Sequence, residues 1–167
     1  MYDITIWIAE GFLALFFFVA GVPKMIGAVS ERWAGFEEVP RGLVTLIGIA
    51  EIAGGIGLVA PQWSGIAVWL TPWAGLGIVV IALMGSGFHL RRQEWPAAVG
   101  TALWALLATA VVIARWGDVA HAPSISRHNV LPGVVLVLIV AVLANLVVLS
   151  RATSAKPAGT AEARQAG

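Results

Sequence analysis

Three ionisable side chains fall inside long apolar runs, Glu10, Lys24 and Glu51, and a fourth, His89, closes one. Glu51 lies near the centre of the 18-residue run Leu43–Ala60, within the glycine-rich stretch Gly48-Ile-Ala-Glu51-Ile-Ala-Gly-Gly55-Ile-Gly57. A lipid-facing charge at that depth costs roughly 2.5 kcal/mol or more, so Glu51 is expected to face protein, to be protonated, or both. At helical spacing Gly48 and Gly55 flank it on one face, leaving that surface bare enough for a neighbouring backbone. Whatever partners Glu51 is expected on a close neighbouring helix.

The element that could supply the partner is the first apolar segment, Ile4 to about Val22, which ends in Phe18-Val-Ala-Gly-Val-Pro-Lys24. Gly21 and Pro23 predict a kink there, with the helix running on toward Val29. Lys24 would then lie roughly 7 Å from that end and Glu51 roughly 12 Å from the start of its own helix, at 1.5 Å per residue. An antiparallel pair of neighbours brings the two charges to similar depth and predicts an ion pair, direct or water-bridged. The alternative is that Lys24 extends to the headgroups while Glu51 is protonated or bonded to backbone. Glu10, 14 residues before Lys24, is about 21 Å away and cannot share that site. It is expected near the opposite headgroups, with an outer vestibule as the other reading.

The remainder of the chain is organised to hold such segments in a bilayer. Of 167 residues, 59% are hydrophobic and 11% charged, against about 25% charged in a soluble domain. Charges cluster between apolar runs, the pattern of an all-α, polytopic transmembrane helix bundle. After Leu43–Ala60, closed by Pro61-Gln-Trp63, come Gly65–Phe88, Ala97–Ala114 and Val130–Leu149, the last with only Asn145 polar. The expected division is a four-helix core over 1–116, an outer loop and fifth transmembrane helix over 117–149, and a disordered cytoplasmic tail over 150–167.

Lys and Arg counts orient the chain. Eight of ten fall in the first loop, the third-to-fourth link and the tail, leaving Arg115 and Arg127 on the other side. The positive-inside rule therefore predicts a bacterial inner-membrane, multi-pass protein with its N-terminus outside and C-terminus in the cytoplasm. Arg91 and Arg92 read chiefly as contacts to lipid phosphate, with Arg92 a secondary candidate for the site. The bilayer is the first partner.

Several chemistries are excluded or unsupported. With no cysteine there is neither disulfide nor thiolate relay. A net charge of +1 argues against nucleic acid. His121 and His128 lie on the side opposite His89, so a bis-histidine haem does not fit, and Asp118 with His121-x6-His128 is too loose for a metal. No nucleotide-binding, zinc-hydrolase or nucleophile motif occurs, and no covalently bound cofactor is expected.

The order and spacing of Phe18-Val-Ala-Gly-Val-Pro-Lys-Met25, Gly48–Pro61 and Phe88-His-Leu-Arg-Arg-Gln-Glu94 resemble the DoxX and DoxX-like membrane proteins, over roughly Ile4 to Trp116. The resemblance implies a four-helix transmembrane core with Lys24, Glu51 and His89 as its polar set. Some members are membrane subunits of quinone-linked oxidoreductases, thiosulfate:quinone oxidoreductase among them, while most have no defined activity. It thus points to an accessory subunit working with a redox partner protein, with a quinone as ligand. A donor and a proton route for a quinone carbonyl are what a Lys/Glu/His set near an interface supplies. Two features depart from the family pattern: Glu10 stands where a basic residue is frequent, and the fifth segment is an addition. The competing reading is a non-enzymatic scaffold, assembly factor or small transporter component whose internal charges fix helix register.

Overall fold

The structure is a computed structural model and describes residues 2–27 and 39–122, together with Ile139. Four long helices follow one another: α1 (Tyr2–Ile26), α2 (Arg41–Ser64), α3 (Leu70–Arg91) and α4 (Trp95–Ala114). All four are long and apolar enough to cross a membrane. A 3-10 turn, Trp116–His121, follows α4. Apart from Ile139, the expected fifth helix lies outside the described residues, as do the tail, His128 and most of the first loop.

The helix boundaries follow local chemistry. Gly27, at φ 78°, ends α1 before the expected Val29, because a left-handed residue cannot continue the right-handed spiral. Pro61 does not close α2 as expected; the helix runs through it to Ser64 and stops at Gly65, which caps it at φ 69°. The segment expected to begin at Gly65 begins only at Leu70, since Gly65 and Ala67 (φ 53°) both turn the chain left-handed. At the far end of α3 the Arg92 amide donates to the Phe88 and His89 carbonyls, Gln93 takes φ 60°, and α4 starts with Pro96 in its first turn, where a missing N–H matters least.

The helices are antiparallel neighbours in a closed ring, α1 on α2, α2 on α3, α3 on α4, and α4 back on α1. Gly21 meets Gly48 and Ala14 meets Gly55 across α1 and α2; Gly54 meets Ile78 and Gly57 meets Ala74 across α2 and α3. The Ser86 hydroxyl donates to the Ala98 carbonyl at 3.0 Å across α3 and α4. Phe16 and Trp104 rings, 4.5 Å apart, join α1 to α4.

Leu13, Phe17, Leu58, Ile78 and Val111 fill the interior, with Ala105 and Ala108 letting α4 come close. Large apolar side chains also point outward, Ile8, Leu15, Leu46 and Ile56 among them. With apolar surface both inside and out, water exclusion cannot sort the faces. Close backbone approach and polar contacts must do it.

Candidate functional site

The strongest polar contact lies where α1 and α2 approach most tightly. A Cβ on Gly21 would stand 2.6 Å from the Gly48 carbonyl oxygen, and one on Gly48 would stand 2.7 Å from that of Gly21 and 2.8 Å from Lys24 Cβ. Only glycine permits this crossing, and it sets the two side chains beside it face to face. Lys24 Nζ donates to both carboxylate oxygens of Glu51, at 2.5 and 2.6 Å. Lys24 is 5% exposed and Glu51 4%. The direct pair read from helix register is therefore present, and Lys24 does not reach away from Glu51. Burying either charge alone would cost several kcal/mol; two short charge-assisted bonds offset that for the pair.

His89 goes elsewhere. The turn through Arg92 and Gln93 folds Glu94 back beneath it, so that His89 Nδ1 lies 2.7 Å from Glu94 Oε2, while Arg92 Nε donates to Glu94 Oε1 at 2.9 Å. These bonds, the one from His89 first, hold the Glu94 carboxyl below its usual range. The family resemblance groups His89 with Lys24 and Glu51. Instead His89 and Arg92 share a half-exposed acid supplied by their own link.

Glu10 requires a correction too. It is fully buried rather than set among headgroups, and Arg115 binds it side-on, Nε to Oε1 at 2.7 Å and Nη2 to Oε2 at 3.2 Å. The guanidinium also stands 5.7 Å from the Trp7 ring centroid, a cation–π distance. This second ion pair ties α1 to α4 at the opposite end of the bundle from Lys24. Arg115 looked like a loop residue because it directly follows the last apolar residue of its segment. In the structure α4 has 20 residues against 25 in α1, and Arg115 at its C-cap reaches Glu10 on α1, a difference the sequence segments do not show.

The same end carries a lid absent from the sequence reading. In the 3-10 turn, Val119 packs against Leu76 and Val112, with Trp73 and Trp116 around them. Gln62 Nε2 donates to Asp118 Oδ2 at 2.6 Å, latching the turn to α2. The division drawn after Trp116 thus cuts through an element that packs on the core. Asp118 serves this latch, and the His121 ring lies 3.3 Å from the Asp118 carbonyl. Among the described residues no three His, Asp or Glu side chains converge as a ligand set for a metal.

Glycines at the α1–α2 crossing, a buried ammonium–carboxylate pair and a short turn rich in His, Arg and Glu all sit within one ring of four spans. The DoxX-like family model matches residues 8–114. The chain belongs to the DoxX-like family. The matched region holds Glu10, Lys24, Glu51, His89 and Arg92, and it stops one residue short of Arg115. No curated protein and no solved structure gives a significant match. This DoxX-like protein is a multi-pass membrane protein, with four described helices long and apolar enough to cross a membrane.

Proposed function

We propose that this DoxX-like protein is an accessory membrane subunit of a quinone-linked redox system, with the Lys24–Glu51 pair as its polar pocket. The observation that carries the reading is the pair itself, an ammonium and a carboxylate in direct contact, nearly closed to solvent, inside an apolar bundle. Its donor set suits a carbonyl headgroup. A quinone, when bound, supplies carbonyl-to-hydroxyl redox chemistry. The chain's part is to present the Lys24 Nζ hydrogens to an oxygen and to hold or release a proton at Glu51. His89, tied to Glu94 at the end of α3, stays outside this pocket. Electrons come from a partner protein. The excess of Lys and Arg beside the Lys24 end supports a bacterial inner membrane with that end cytoplasmic and the N-terminus outside.

The second reading is a scaffold or assembly factor, favoured by the way both Glu51 oxygens are engaged by Lys24 and by the glycine crossing beside them. Purification in native nanodiscs followed by quinone extraction and mass spectrometry separates the two. Quinone enriched over bulk lipid in the wild type, and lost in Glu51→Gln and Lys24→Met, is the expected result. Equal quinone in all three, with assembly unchanged, would overturn the redox reading in favour of the scaffold.

A further inference from the structure

On α4, Val99, Leu103, Leu106, Ala110 and Ile113 recur at alternating intervals of four and three residues, the spacing of a coiled-coil seam. The seam points directly away from the bundle, because Ala98, Ala105, Ala108 and Val112 on the other side of the helix are buried. Leu103, Leu106 and Ile113 are each more than half exposed, and Ala110 forms the floor of a shallow apolar hollow of about 380 Å³ among them. This is a knob-and-hole surface with no helix of the described ring on it.

We propose that this face of α4 is the seat of the chain's own apolar run Val130–Leu149, lying antiparallel to α4. The tether supports it. The described chain leaves the ring at Ala122, just past a turn whose Val119 is buried against α3 and α4. Residues 123–129 then reach at most about 25 Å, which favours α3 and α4 over the far side of α1 and α2. Of these two, α4 is the more open, with 28% of its central window buried against 39% for α3. Ile139, at the middle of the run, has helical backbone.

Register supplies the second argument. The run and α4 are both 20 residues long, so matching their ends fixes which residues share a depth. Ile113 then faces Leu131, Ala110 faces Val134, Leu106 faces Leu138, Leu103 faces Ala141 and Val99 faces Asn145. A small residue meets a larger one at two of these levels, Ala110 with Val134 and Leu103 with Ala141. In that register Asn145, the one polar residue of the run, would face α4 rather than lipid.

The absence of cysteine makes the test direct. Full-length Ala110→Cys/Val134→Cys and Leu106→Cys/Leu138→Cys chains are oxidised in native membranes, then treated with a maleimide-linked polymer that adds a gel shift per free thiol. Both pairs are expected to lose both shifts, whereas Ala110→Cys/Leu136→Cys, whose second thiol is on the opposite face of a helix, keeps them. Using two seam pairs guards against one that fails to fold. Equal labelling of seam and control pairs would overturn the proposal. So would a disulfide-linked dimer from Ala110→Cys alone at the yield of the seam pairs, which would make a second copy the occupant.

Discussion

Removing one member of the Lys24–Glu51 pair should be far worse than removing both. Each partner is about 95% buried, and the two bonds at 2.5 and 2.6 Å are the contacts that compensate for taking the charges out of water. Lys24→Met leaves a carboxylate beside the Gly21–Gly48 crossing, where neither water nor lipid reaches it. Breaking a buried pair in this way costs about 3–5 kcal/mol, roughly two to four decades in the folding equilibrium. Lys24→Met/Glu51→Met removes the stranded charge and should return stability to within about 1 kcal/mol of wild type, since apolar replacements of buried ion pairs are often neutral. Reversible unfolding in mixed micelles, run as a double-mutant cycle, measures the coupling. Additive losses, with the double variant as unstable as the two singles combined, would refute the reasoning: the pair would not be the compensating contact. Glu51→Gln checks the charge separately from shape and should fall between.

Gly48→Ala places a methyl group 2.7 Å from the Gly21 carbonyl oxygen and 2.8 Å from the Met25 amide nitrogen, both backbone atoms; it should destabilise by about 1–3 kcal/mol, read as an unfolding shift, whereas Gly77→Ala, which meets nothing within 4 Å, should be neutral or slightly stabilising. Arg115→Gln strands the fully buried Glu10 and should cost about 3–5 kcal/mol, with a change in Trp7 fluorescence as the local signal; Glu10→Gln/Arg115→Gln should recover much of it. Glu94 is depressed below its usual carboxylate value, so its contribution is fully present above that value and lost as pH falls through the lower folded one. Acid titration of stability should therefore be shallower in Glu94→Gln over that window, and an unchanged acid limb would remove Glu94 from the account.

The Lys24–Glu51 contact was legible because three signals agreed: a carboxylate too deep for lipid, glycines at the two helical positions beside it, and a short-side-chain path across an antiparallel neighbour. His89 misleads because a resemblance groups residues without showing which neighbour each one meets. A hydrogen bond to the three-residue link outcompetes one that would have to reach another helix, and the left-handed Gln93 within that link carries no strong sequence mark. Glu10 misled in the opposite sense. Its partner stood outside the apolar run, and the inward reach of an arginine from a helix end depends on unequal helix lengths that segment boundaries only approximate. Pro61 has the look of a helix stop, since proline removes one backbone bond. At a buried position within three residues of the helix end, that loss did not outweigh continued packing.

The two buried pairs also determine how the bundle responds to voltage. Lys24 has its counter-charge at its own depth, and so does Glu10. A transmembrane potential does work of about 2.3 kcal/mol per 100 mV on each elementary charge moved across the full membrane, but on a neutral pair at one depth the two contributions cancel. Neither pair therefore gives the potential a net charge to act on while both partners stay in contact. Losing Lys24 or Arg115 breaks that neutrality unless the stranded carboxylate takes up a proton, so a dependence of such a variant's stability on membrane potential would report that carboxylate as still ionised.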